Sequence, residues 1–531
     1  MTASRLFRYS DSTVAPTVRQ GAGRVLLGPV PLLVLATIFW ALLIRWTGPL
    51  SEIHDFRQSQ TALSAYWMLR DGINFLHPPM PVFGAAHPSV PMEFPLYQVL
   101  VALLAHTFYA APLPATLLAG RVVNFASFLL AAYAFYRLVD FVHDRVLANL
   151  AMALFLFMPY AAAWAAAESM EYLALAFALF YLEAATRIAI GAKPTNPWLF
   201  AWVAFAGALA MLLKITTALV YGPVLLLLWV YWGFVRKPRP TILNIFVVTL
   251  CAAIIPFVVG DAWVQWSDMV KAQSPLTIFL TSAGSWAWNF GSMAERFSLW
   301  HWIKIGGYWA VQIMAVFGIA FAAGGVRYLW RRDRLVLLYW ALPPLTGALV
   351  FFNLYFHHDY YQIAILPSLT LVMAAGFRAL FWRRPEASLL RTGMIMTVFL
   401  SLCWGGLAAQ TLVRGYRTPP AMLSEFRLGP SKPSAVRRRD LMIVHMLRTR
   451  TRPTDVSLIA VDTWSSVIPL LAERRVVMDV NCKLVASLHL NVNFYVVDSE
   501  RSLCRKMHIP KRCLITRRDG ISLGTCVSGK P

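Results

Sequence analysis

The chain alternates long apolar runs with short polar stretches. Runs near 25–46, 94–110, 117–136, 146–165, 171–189, 198–213, 217–235, 241–259, 306–326, 335–352, 362–381 and 389–409 approach or reach the roughly 20 residues that a helix needs to cross a bilayer. Between 52 and 72 the pattern changes. Glu52, His54, Asp55, Arg57 and Gln58 crowd together, and then Ala62, Leu63, Tyr66, Trp67 and Leu69 recur at helical spacing. This predicts a helix lying on the membrane surface, apolar side down, with Asp55 at or near its N-cap, where free N–H groups and the helix dipole favour an ionised carboxylate. Beyond about residue 410 the long runs stop. VSLIAVD, VVMDV and NFYVVD read as strands and WSSVIPLLAERR as a helix, so the tail predicts a small α/β domain.

Of the 531 residues, 58% are hydrophobic and 14% charged, which excludes a soluble multi-domain enzyme and leaves a polytopic membrane protein. A net charge of +23 raises the question of nucleic acid. In a membrane protein, however, Lys and Arg collect in cytoplasmic loops and at headgroups, and the chain carries no nucleic-acid motif. The partners to expect are membrane lipids.

Charge also orients the chain. Arg5, Arg8, Arg19 and Arg24 precede the first run and keep the N-terminal tail, 1–24, in the cytoplasm, so that run is a signal anchor. Further basic clusters at 187–193, 236–239, 327–334 and 378–391 also belong inside. If all twelve runs crossed, those clusters would face outward, so one early run does not cross. The best candidate is 93–109, short and entered through Pro91 and Pro95. The expectation is eleven spans within 25–410, with segments 47–116, 164–172, 261–305 and 353–361 on the outer side together with a tail domain, 411–531. In that tail Cys482, Cys504, Cys513 and Cys526 lack CxxC spacing and predict two disulfides in an oxidising compartment.

In order along the chain, HDFRQSQTA, EFPLYQVLVALL, AAESMEYLALAFALF, LLKITTAL, HHDYYQIAILPSL and WSSVIPLLAERRVVM resemble segments of the polyprenyl-phosphate-sugar glycosyltransferases of the C superfamily (GT-C), in the branch of protein O-mannosyltransferases and aminoarabinose transferases. The resemblance covers nearly the whole chain and rests on the order of individually weak motifs. It implies a mainly α membrane fold with juxtamembrane helices and a C-terminal extracytoplasmic α/β domain. It also implies a bacterial cytoplasmic-membrane location, a polyprenyl-phosphate sugar donor, and an acceptor that is protein, lipid or glycan.

Outside the cytoplasmic membrane there is no nucleotide supply, so such a donor must bring its own leaving group. The reaction needs a carboxylate for the acceptor and cationic or hydrogen-bonding groups for a phosphate whose charge grows as the bond to C1 breaks. Asp55 or Glu52 is the expected base. His54, Arg57, Gln58, Glu93, Glu171, Lys214, His357, His358, Tyr360 and Tyr361 are the expected substrate contacts. No cofactor is expected. The His357–Tyr361 run invites a divalent metal, but adjacent histidines diverge on a helix and no HxxxH spacing supports a chelate. A transporter or lipid flippase is the alternative class, although the acids sit at span ends and no internal repeat is present.

Overall fold

The computed structural model describes residues 28–50, 53–84, 89–108, 110–191, 196–237, 239–381, 389–413, 422–427, 434–461, 464–478, 492, 494–498, 513–518 and 520–526. Its first half runs α1 (Pro29–Leu43), α2 (Asp55–Asp71), α3 (Leu96–His106), α4 (Pro112–Val142), α5 (Arg145–Phe157), α6 (Pro159–Ala165), α7 (Glu171–Ile190) and α8 (Pro197–Val220). It continues through α9 (Gly222–Val230), α10 (Ile242–Thr249), α11 (Ile255–Lys271), the short α12 (Trp286–Phe290) and α13 (Met293–Arg296), and α14 (Leu299–Gly307). The remaining bundle helices are α15 (Gly318–Arg332), α16 (Arg334–Val350), α17 (Phe352–His357), α18 (Leu366–Phe381) and α19 (Leu389–Val413). Among the described residues six helices are long and apolar enough to cross a membrane, or eight if each of two bent pairs is one span.

Proline punctuation explains several boundaries. Pro112, Pro159 and Pro197 each open a helix in its first turn, where no N–H is needed. Pro159 also marks the 62° bend between α5 and α6. α5 is capped by Asp144, whose side chain accepts from the Leu147 N–H at 3.1 Å. α15 and α18 cross closely because Gly325 and Gly376 face each other's helix: a Cβ on either would run into the backbone carbonyl of Val372 or Phe321. Small residues that let backbones approach are the usual means of packing helices in lipid.

α8 carries the most consequential break. Lys214 is extended inside it (φ −164°, ψ 96°), which interrupts the helical ladder. Phe94 N–H, arriving from the loop before α3, donates to the Leu212 carbonyl at 3.1 Å. A backbone acceptor beside the break is thereby satisfied. The break turns Lys214 into the protein, and the bond brings Glu93, next in sequence, alongside.

The tail contributes α20 (Ala435–Arg450), α21 (Val467–Ala472) and strands β1 (Val456–Ala460), β2 (Arg475–Met478), β3 (Phe494–Asp498), β4 (Cys513–Arg518) and β5 (Ile521–Cys526). The sheet order is β2-β1-β3-β5-β4, with β1 parallel to β2 and β3, and β5 antiparallel to β3 and β4. Cys513 is disulfide-bonded. Cys482 and Cys504 lie outside the described residues.

The expectation for α2 is corrected. It does not float on a lipid surface: every residue from Arg57 to Met68 is buried. Its Leu63, Tyr66 and Trp67 share one apolar core with Ile443 and Leu447 of α20, Leu470 of α21 and the strands. The loop before α3 joins the sheet itself. Gly84 N–H donates to Val476 O (2.9 Å), Val476 N–H to Pro81 O (3.0 Å) and Met478 N–H to Val82 O (2.8 Å). The apolar side of α2 is thus covered by a domain some 400 residues downstream rather than by lipid.

Candidate functional site

At the end of the bundle where α2, α7, α8 and the segment after α17 meet, four charged side chains interlock. Arg57, in the first turns of α2, reaches Glu93 at 2.5 Å and Glu171 at 3.1 Å, and its Nη1 donates to Gln60 at 3.1 Å. Glu171, the first residue of α7, also receives the Lys214 ammonium. The Lys214 Nζ lies 4.0 Å from the centroid of the Tyr361 ring and 4.7 Å from that of Tyr360, and Arg57 lies 5.5 Å from the latter. Arg57, Lys214 and Glu171 are almost wholly buried. Such charges persist inside a protein only when paired, and here two cations balance two carboxylates.

Burial opposes the Arg57 charge, but Glu93 and Glu171 more than offset it and hold the guanidinium above its ordinary range. Burial likewise pushes the Glu93 carboxyl up, and Arg57 overrides it, leaving the group below the usual carboxylate value. Both stay ionised at neutral pH.

A second layer is aromatic and neutral. His54 Nε2 and His358 Nδ1 are hydrogen-bonded at 2.9 Å. His54 meets the Tyr360 ring edge-on, and His358 stacks on the same ring. Burial, then Arg57, lowers the His54 pKa from 6.5 to about 4, and burial, then His54 itself, lowers that of His358. Both imidazoles are therefore neutral at pH 7, one donating to the other. The unfolded chain takes up protons below about pH 6.5 that the folded one refuses until near pH 4, so the pair's contribution is complete above pH 6.5 and falls away as the pH drops. The melting temperature of the purified protein is expected to decline between pH 6.5 and 4, and less steeply in His358→Gln.

Asp55 is the first residue of α2, after His54 in a left-handed conformation (φ 46°) at the N-cap. Its carboxylate is 35% exposed and faces the tail domain, with Oδ2 3.6 Å from Arg437 Nη1. Glu52 lies outside the described residues.

Two sequence expectations fall elsewhere. Gln58 is fully buried; its amide N–H donates to Ile53 O at 2.5 Å and its Oε1 accepts from Glu168 N–H at 3.3 Å, so it ties backbone to backbone. His357 is exposed and stacks on Trp288. The sequence reading also missed Gln60, which orients Arg57, and Arg437. Neither carries a periodicity or spacing that singles it out, and Arg437 is one of three consecutive arginines. Among the described residues no three His, Cys, Asp or Glu side chains converge as metal ligands.

The overall fold is one that solved structures of other proteins share. Two solved structures that share it are ArnT from Cupriavidus metallidurans bound to undecaprenyl phosphate and the archaeal oligosaccharyltransferase AglB from Archaeoglobus fulgidus in complex with an inhibitory peptide and a dolichol-phosphate. ArnT superposes with a TM-score of 0.60 at 12% identity, over 94% of this chain and 98% of that one. Its apo form gives 0.54 at 12% identity, over 94% and 97%. AglB gives 0.51 at 14% identity, over 89% of this chain and 69% of that one. No family model and no curated protein matches the sequence.

Proposed function

We propose that this protein is an integral membrane glycosyltransferase that moves a sugar from a polyprenyl-phosphate donor to an acceptor at the outer face of a bacterial cytoplasmic membrane. The observation that carries the reading is the meeting of Arg57 and Lys214 on Glu171 at one end of a GT-C bundle, with Asp55 two residues before Arg57 at the start of α2. Two buried cations wait where a phosphate would leave, and an acid at the rim is placed to take the acceptor's proton. Lys214 has three N–H donors and Glu171 accepts one of them, so the ammonium retains donors for phosphate oxygens. A single attack on C1 with polyprenyl phosphate departing would invert the anomeric carbon.

The lipid tail also has a place to go. An apolar cavity of about 580 Å³ lies among α7 to α11, lined by Tyr181, Trp229, Trp232 and Phe257. Its wall includes Met211 and Ala218, which flank Lys214 along α8. The neighbours bound to undecaprenyl phosphate and dolichol-phosphate support a donor of that class. Eleven spans follow when α1, the α9 segment Gly222–Val235 and α16 join the eight longer candidates and α3 stays out of the count. The basic loops then lie inside and the Asp55 end outside, with the C-terminal domain.

The test is a transfer assay with the purified protein in liposomes, offering polyprenyl-phosphate-linked pentoses and hexoses to an envelope extract as acceptor. Release of free polyprenyl phosphate coupled to an inverted glycosidic product is expected. No release with any such donor would overturn the reading.

A further inference from the structure

Asp55 is reached from outside the bundle. Arg437 enters from α20 of the tail domain: Nη1 lies 3.6 Å from Asp55 Oδ2, and Nη2 donates to the Leu50 carbonyl at 3.2 Å. The side chain is only 4% exposed. Its Nη1 has no hydrogen-bond partner, so that edge of the guanidinium is directed at the carboxylate without being taken up by it.

The aim of Arg437 is fixed from three sides. Ser434 caps α20 by accepting from the Arg437 N–H at 3.2 Å, which sets where the helix begins. Two residues on, Arg439 forks onto Asp498 of β3, Nε to Oδ2 at 3.0 Å and Nη2 to Oδ1 at 2.5 Å. One turn further, Ile443 and Leu447 enter the core that holds α2. The sheet, the cap and the core therefore all bear on where one guanidinium is held.

We propose that Arg437 is a positioning residue for Asp55, so that the C-terminal domain completes the reaction site instead of standing beside it. The proposal rests on the reading of Asp55 as the base. A buried cation beside a carboxylate favours its charged form, and the Asp55 side chain is 35% exposed. Arg suits the place because its planar fork addresses the Leu50 carbonyl and Asp55 at once, whereas an ammonium on a flexible stem does not.

The experiment compares full-length wild type, Asp55→Asn, Arg437→Met, Arg437→Lys and the Asp55→Asn/Arg437→Met double variant for kcat, donor KM and the pH dependence of kcat/KM. Arg437→Met is expected to lower kcat about 10-fold or more with donor KM unchanged, and to move the acid limb up by about one pH unit or more. Arg437→Lys should bring the limb part of the way back, because it restores the charge without the fork, and an unmoved limb in Arg437→Lys decides against the proposal should Arg437→Met fold poorly. Among the described residues His54, His358, Arg57 and Lys214, with Glu93 and Glu171, are charged or titratable groups clustered at that end, and all are unchanged throughout, so a moved limb reports Arg437. In the Asp55→Asn background, Arg437→Met should cost nothing further. An unmoved limb, or an equal fractional loss with Asp55 already neutral, would reduce Arg437 to a domain clamp and overturn the proposal alone. Wild-type transfer by Asp55→Asn would overturn the reading of the base, and the proposal with it.

Discussion

Asp55→Asn is expected to lower kcat for sugar transfer by about 100- to 10,000-fold, the range over which a positioned general base contributes. The substitution keeps the shape of the side chain and removes its charge. Asp55 is one-third exposed, and its ion pair with Arg437 is long, so the fold should survive with a melting temperature near wild type. The loss should therefore appear in kcat rather than in donor KM, because a base acts in the transition state and not on the bound lipid. Asp55→Glu should retain more activity than Asp55→Asn if proton transfer is the role. Transfer by Asp55→Asn at the wild-type rate would mean that another group takes the proton.

Lys214→Met is the second large effect expected, with a loss of about 100- to 1000-fold in kcat, as is typical when a donor aimed at developing charge is removed. Methionine fills the space and lies against the Tyr361 ring, so packing is largely kept. What disappears is the compact charge held at that ring and shared with Glu171. Arg57 continues to pair with Glu171 at 3.1 Å, so the carboxylate is not abandoned in the interior. Lys214→Arg is not expected to rescue, because a longer planar fork does not fit between Glu171 and the ring. Kinetics with a donor bearing a better leaving group would separate the roles. If Lys214 stabilises phosphate charge as the bond breaks, the deficit should shrink with that donor. A deficit of unchanged size would assign Lys214 to holding Glu171.

How much of this was visible in the order of residues depends on which force sets each feature. The bundle was legible because a bilayer imposes apolar length and internal satisfaction of the backbone, and both leave runs in the sequence. Lys214 was legible as a cation between two such runs, 198–213 and 217–235. The break that aims it was not, since that depends on Phe94 donating to Leu212 from a loop more than a hundred residues earlier. Glu93, Glu171, Arg57 and Tyr360 could be named as candidates, but their meeting around one guanidinium is a tertiary fact. The helical spacing of Leu63, Tyr66 and Trp67 predicted an apolar face correctly and its neighbour wrongly, because lipid and a protein core look alike to an apolar side chain. Gln58 suggested a ligand contact because it is a polar residue beside charged ones, and its bridge between the backbone at Ile53 and at Glu168 left no mark in the sequence.

The pairing of residues 81–84 with β2 bears on the life history of the chain. A ribosome delivers Pro81 long before Val476, so the segment before α3 must wait through nearly the whole of synthesis with Val82, Phe83 and the inner face of α2 uncovered. Only when the last segment arrives are these surfaces sealed and Asp55 given its neighbour. The protein therefore matures from its far end backward, and a chain cut short before the tail would leave an unfinished catalyst with a sticky edge exposed to its surroundings.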